Sequence, residues 1–331
     1  MENKAVLIQR IKESAAKNKL LVITLVLFGF CSLYNPSFLS RLNINGMMLS
    51  TSYMSLLVIG MTFVILTGGI DLSVGATAGL ATVVLAYGMN NWMIANDTIT
   101  LLFSIVFVLV ISVAIGLVNG LFVAMLNLPP LVVTLGMTWV VTGIADTIVK
   151  GKPIPLPATP LKAFLKFKVF SVIPMMLIIS LAALVLFIFV FEKLRYGRRF
   201  YTVGSSKYAA YVSGMNIRFV LINAYSIAGL LSGIAGIFIA VNLNAGYPKA
   251  ANGYELYTIA AAVMGGVALE GGKGKLLNAF YGVLILQILK KLVVFTGLAN
   301  ISGFLEGMIV GTILVLVLFF NSLKSKGNWH E

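Results

Sequence analysis

Cysteine and histidine are nearly missing from this chain: Cys31 is the single cysteine and His330 the single histidine in 331 residues. One cysteine excludes a disulfide within the chain, and one histidine leaves no cluster of the kind that holds zinc or haem. Charge is scarce too. Only 10% of residues are Asp, Glu, Lys or Arg against 60% hydrophobic, and the mean hydropathy is +1.02. A soluble domain of this length exposes far more charge, and no stretch is long and polar enough to fold as a separate unit. What remains is an all-α, polytopic membrane protein that fills residues 1–331 as one domain.

Acids are rarer still, 10 against 24 Lys and Arg, which gives a net charge of +14. In a soluble protein that excess would suggest nucleic acid. Here most of the basic residues sit in short segments between apolar runs, so membrane topology accounts for them and no nucleic-acid partner is expected. Apolar spans fall at 20–34, 47–66, 74–94, 99–126, 129–149, 171–191, 219–241, 255–269, 276–289 and 304–320. That predicts ten crossings. The runs 255–269 and 276–289 are shorter than the ~20 residues a straight spanning helix needs, which predicts broken or re-entrant elements covered by protein. Residues 1–19 carry five basic side chains, and no small-x-small pattern precedes Asn35-Pro36. Phe30 before Cys31 does not fit a lipoprotein signal. The reading is an uncleaved first helix with both termini cytoplasmic. Five lysines (150, 152, 162, 166 and 168) crowd one outer loop against that rule. The four prolines there predict a stiff, non-helical segment, either a surface for another protein or a solvated connector.

The break Thr67-Gly68-Gly69-Ile70-Asp71-Leu72-Ser73-Val74-Gly75 places a carboxylate between two spanning runs. An ionised Asp at a membrane helix centre costs about 2.5 to 3.5 kcal/mol, so it faces a bundle interior, a cavity or the interface. Gly69-Ile70-Asp71-Leu72 opens the third span and Gly253-Tyr254-Glu255-Leu256 opens the eighth. An odd number of spans between them reverses direction, which predicts an inverted repeat with units roughly at 47–149 and 219–320. Each acid then stands at a helix N-terminus, where it either caps the broken helix or touches a transported solute. Thr62, Thr67 and Ser73 are candidate lining groups beside Asp71, near the cytoplasmic end, with Glu255 expected near the outer end.

Catalytic patterns are missing. Gly265 to Gly274 looks like a phosphate loop, but Val267 stands at the first required glycine and Gly274 at the magnesium-holding Ser/Thr. No nucleophile, base and oxyanion set can be assembled. Small residues spaced by four, such as Gly75/Gly79, Gly116/Gly120 and Gly229/Gly233, predict close helix packing. Asn119, Gln287 and Glu306 read as interhelical hydrogen-bonding groups. The largest hydrophilic segment between spans, 192–218, holds a short helix that Ser205 or Ser206 caps and Gly214 ends.

The break around Asp71, the Tyr196-Gly197-Arg198 to Ser213-Gly214 loop, and Gly253-Tyr254-Glu255-Leu256 through Gly271-Gly272-Lys273-Gly274 together resemble the ribose-type permease subunits of bacterial ABC sugar importers, nearly end to end. The resemblance implies a type II importer-like permease in the bacterial inner membrane, dimeric with a second copy or a related permease. It implies an external solute-binding protein, an ATP-binding cassette ATPase that carries ATP and magnesium on its own subunit, and no cofactor on this chain. It also maps a coupling segment onto Gly204, Ser205, Ser206, Ala209, Ala210 and Gly214. Two positions depart from the family pattern: Gly204-Ser205-Ser206 where relatives commonly have Gly-Gly-Asn, and Tyr257 where they commonly have Asp. The expected activity is passage of a monosaccharide by alternating access. A nucleoside, an inositol or a furanose-like signalling molecule is the alternative cargo. An ion-coupled secondary transporter, or a membrane partner that does not transport, are the readings from other classes.

Overall fold

A computed structural model describes residues 18–92 and 96–296, with four further positions, Met308, Gly311, Thr312 and Val315. Most of the expected tenth span, Glu306 within it, and residues 1–17 lie outside the described residues. The chain runs through α1 (Lys19–Tyr34), a 3-10 turn (Pro36–Leu39), α2 (Arg41–Leu66), α3 (Val74–Asn91), α4 (Asp97–Met125) and α5 (Pro130–Val149). An outer segment follows, with β1 (Ile154–Pro155), α6 (Pro160–Lys166), β2 (Lys168–Val169) and β3 (Ile173–Pro174). Then come α7 (Met175–Lys193), α8 (Arg195–Ser205), α9 (Lys207–Val212), α10 (Ile217–Leu243), β4 (Ala245–Gly246), α11 (Tyr254–Met264) and α12 (Leu276–Phe295). Six of these, α2, α4, α5, α7, α10 and α12, are long and apolar enough to cross a membrane.

Short polar side chains start the helices where the sequence places them. Ser40, Asn96, Thr159, Ser206 and Asn216 each accept a backbone N–H from the first turn that follows, which satisfies donors that a helix start otherwise leaves open. Two expectations need correction. The outer loop contains a helix, α6, because Thr159 caps it and Pro160 at its first position already has helical φ. The run at 276–289 is not a short broken element. Helix α12 continues to Phe295 through Lys290 and Lys291, whose charges had cut the apolar pattern early.

Helices α2 and α10 form the buried centre, and the most extensive helix contact is α4 against α10. The backbones touch there: a methyl group on Gly229 would run into the Ser112 carbonyl, and one on Gly116 into the Tyr225 carbonyl. Lipid tails give no hydrophobic drive to helix association, so such close approach and its dispersion contacts hold the bundle. Outward faces of α4, α5 and α7 expose Val106, Val132, Trp139, Val185 and Leu186, the surface that hydrocarbon covers.

Junctions that the charge pattern assigns to the same side meet at the same end. At one end the Gly272 N–H donates to the Leu66 carbonyl at 2.9 Å, and Gly204 lies against both. At the other, Ile154 pairs with Gly246, Asn90 Nδ2 donates to the Pro155 carbonyl at 2.9 Å, and Lys166 Nζ donates to Asn244 Oδ1 at 2.8 Å.

Candidate functional site

The first break is built from the end of α2. Thr67 donates its hydroxyl to the Val64 carbonyl at 2.7 Å, Gly68 turns at φ +77°, and Gly69 N–H returns to Val64 O at 3.1 Å. Asp71 Oδ1 then accepts both the N–H (2.8 Å) and the hydroxyl (2.6 Å) of Ser73, an Asx turn that leads into α3. Ser73 Oγ accepts in turn from Asn119 Nδ2 of α4 at 2.8 Å. From α5, Thr134 Oγ1 accepts the Leu72 N–H at 3.1 Å and Thr138 Oγ1 donates to the Leu72 carbonyl at 3.0 Å. Irregular backbone at membrane depth needs such internal partners. Asp71 is 1% exposed and Asn119 is fully buried. Two buried atoms here lack a partner among the described residues, Asn119 Oδ1 and the Tyr225 hydroxyl, the latter lying against Gly69. Tyr225 was not singled out from sequence, since one tyrosine within an apolar span carries no pattern.

Thr62, a candidate lining group, is fully buried and donates to the Val58 carbonyl of its own helix at 2.7 Å. Thr67 and Ser73 are also buried. The structure thus gathers Thr67, Asp71 and Ser73 in one closed knot and leaves Thr62 a turn away inside α2.

The second break lies elsewhere than expected. From the end of α10 the chain descends along α3 through β4 and then a run of turns at 248–253: Gly246 packs against Thr82 and Ala86, Pro248 against Gly79, and Ala251 against Gly75. That path spans 11 residues of helix, about 16 Å at 1.5 Å per residue. Glycine is required at Gly75 and Gly79, because a methyl group would strike the Ala251 and Pro248 carbonyls. Thr82 Oγ1 accepts the Tyr247 N–H at 2.9 Å, and its own proton lies between the Gly79 carbonyl (2.7 Å) and the Tyr247 carbonyl (3.1 Å). Helix α11 begins only at the bottom of this descent. Its Glu255 Oε1 accepts the Gly253 N–H at 3.1 Å, and the other carboxylate oxygen lies against Gly75. Glu255 is therefore not near the outer end: it stands one turn along α3 from Asp71, because the descent brings it inward. Helix α11, with 11 residues, covers only about 16 Å, a half-crossing as the short run predicted.

Aromatic rings collect at the start of α11. Tyr53 of α2 and Tyr254 stack with centroids 5.8 Å apart at 5°, and Tyr257 meets Tyr254 edge-on at 6.2 Å. Lys290 Nζ of α12 lies 3.8 Å from the Tyr257 ring centroid, a cation–π pair. Beside it Ser50 Oγ donates to Gln287 Oε1 at 3.0 Å, joining α2 to α12. An ionisable residue within an apolar span was the signal that could have singled out Lys290.

The segment between α7 and α10 folds as two helices. Ser206 Oγ accepts the Ala209 N–H at 3.1 Å and starts α9, while Ser205 ends α8. Gly214 ends the unit at φ +73°. Gly204 packs on Leu66 and Gly272, and Ala210 is buried. Ala209 is exposed, and so, on a larger scale, are Tyr208, Tyr211 and Val212, at 79%, 73% and 67%. Sequence reasoning missed these three. The Tyr201 hydroxyl donates to the Gly274 carbonyl at 3.1 Å. Burial pushes its pKa up, with Glu192 adding to the effect, so it remains a donor at neutral pH.

A buried helical bundle with an apolar outward rim, in which six of the described helices are long and apolar enough to cross a membrane, defines a multi-pass membrane protein. The chain belongs to the family described as the branched-chain amino acid transport system/permease component, which its residues 43–318 match. Among curated proteins it is similar to the ribose import permease protein RbsC of Bacillus subtilis, 34% identical over 305 residues and 91% of each chain. It is similar also to the L-arabinose transport system permease protein AraH of Escherichia coli, 32% identical over 307 residues, 93% of this chain and 90% of the relative. The galactose/methyl galactoside import permease protein MglC of Escherichia coli is 30% identical over 315 residues, 92% of this chain and 93% of the relative. No solved structure matches the chain. The family description names amino acids while these relatives carry sugars, so the shared fold does not fix the cargo. The chain is an inner-membrane permease of the sugar ABC importer class.

Proposed function

We propose that this permease takes up a ribose-type monosaccharide, received from an external binding protein and released to the cytoplasm. The observation that carries this reading is likeness over nine-tenths of the chain to permeases named for ribose, arabinose and galactose. A nucleoside, inositol or furanose-like molecule is the alternative cargo on the same scaffold. ATP and magnesium belong to a separate ATPase that docks on α8–α9, where Tyr208 and Tyr211 project. Two permease chains, identical or related, enclose the path. The N- and C-termini are cytoplasmic, on the side of the basic segment 192–218. Ten crossings in two inverted units rock about the breaks at Asp71 and Glu255, and the solute passes the Tyr254, Tyr257 and Lys290 ledge, since ligand paths combine aromatic surface with a few polar groups.

The test is co-purification with the ATPase and binding protein encoded beside this chain, followed by ATP hydrolysis in nanodiscs with each candidate solute. Stimulation by one sugar-loaded binding protein, lost in the exposed-face variant Ala209→Glu, supports the reading and names the cargo. Gradient-driven uptake with no ATPase refutes it.

A further inference from the structure

We propose that a groove between the α4–α5 turn and the start of α10 binds the headgroup of an anionic phospholipid. The groove is a cavity of about 380 Å³ whose floor is apolar, formed by Val123, Ala124 and Leu221. Lys207 and Arg218 are the charged residues that line it, and no carboxylate does. Both are exposed, and neither has a hydrogen-bond or ion-pair partner among the described residues. Two cations therefore face one cavity with no counter-charge among the described residues, at the end of the bundle where α8 and α9 lie.

The surroundings distinguish a lipid from a soluble anion. Leu126, just past α4, is 61% exposed, Val132 of α5 65% and Phe219 of α10 49%, in the segments that flank the groove. A free phosphate would leave this apolar flank bare, whereas the acyl chains of a phospholipid cover it while the phosphate meets Lys207 and Arg218. Basic pockets between membrane helices take acidic headgroups on these grounds, and the Arg fork suits a phosphate better than an ammonium does. The lipid bears on coupling, because Lys207 is the first residue of α9. The proposal rests on the membrane reading of the fold and is independent of which solute is carried.

The experiment titrates the full-length, delipidated chain in detergent with phosphatidylglycerol and with phosphatidylcholine, and counts bound lipid by native mass spectrometry. Phosphatidylglycerol should bind preferentially and lose affinity by about 30-fold in Lys207→Gln/Arg218→Gln. The pair Lys207→Arg/Arg218→Lys should retain it, as should Lys152→Gln/Lys168→Gln at the far end of the bundle. If the double glutamine variant does not fold, the single exposed-site variants give the same comparison, with about fivefold losses. Equal binding of phosphatidylcholine, unchanged binding in the glutamine variants, or displacement of the lipid by inorganic phosphate at equal concentration overturns the proposal.

Discussion

Thr82 offers the sharpest test of how the descending segment is held. Its hydroxyl is fully buried and provides the acceptor for the Tyr247 N–H at 2.9 Å. Replacing it by valine preserves shape and removes that acceptor, leaving the part-buried Tyr247 N–H beside β4 without its partner. An orphaned buried donor costs about 1–3 kcal/mol; at about 2 kcal/mol the folded-to-unfolded ratio falls some 30-fold. Serine restores the acceptor and lacks only a methyl group, a loss of about 1 kcal/mol. Unfolding in detergent micelles, followed by tryptophan fluorescence, should rank the proteins wild type, Thr82→Ser, then Thr82→Val. Valine equal to wild type, or serine as damaging as valine, would refute the hydrogen-bonded account of this segment and leave only packing to explain it.

Other substitutions probe the remaining contacts. Asn119→Ala, which removes the donor to Ser73 Oγ, should cost about 1–2 kcal/mol in the same unfolding assay. Gly79→Ala should cost about 1–3 kcal/mol and lower uptake, since its methyl group meets the Pro248 carbonyl. Tyr208→Ala/Tyr211→Ala, on rings that are mostly exposed, should leave stability within about 0.5 kcal/mol yet abolish solute-stimulated ATP hydrolysis; unchanged stimulation would remove these rings from the docking face. Lys290→Met should fold with a loss of about 1 kcal/mol or less, from the cation–π pair, and change the solute profile in nanodisc transport.

Much of the bundle was legible because apolar runs between turn residues leave few other readings. Each of the spans from 20–34 to 219–241 overlaps a helix, although 171–174 is turn and strand, and the cap at Ser206 follows from a serine before a helical run. The descent of residues 245–253 was not legible. Nothing in Gly246-Tyr247-Pro248 says that the chain packs on α3, because the partner glycines, Gly75 and Gly79, lie some 170 positions earlier and read equally well as a helix-pairing stripe. Glu255 was misplaced for the same reason: a linear pattern gives the order of elements along the chain, whereas depth depended on a long-range contact. The end of α12 failed differently. Lys290 breaks an apolar window, yet the Tyr257 ring lets the charge sit inside the helix bundle.

Gly204 sits where a side chain could have acted as a cushion. Its Cα lies directly on the Leu66 carbonyl at the end of α2 and on the Gly272 amide ahead of α12, and those two groups are hydrogen-bonded to each other. Side chains absorb small displacements by changing rotamer, but touching backbones cannot. A displacement of α8 would therefore bear, backbone on backbone, on both the end of α2 that leads into the Asp71 turn and the glycine turn between α11 and α12, with no side chain between to take it up.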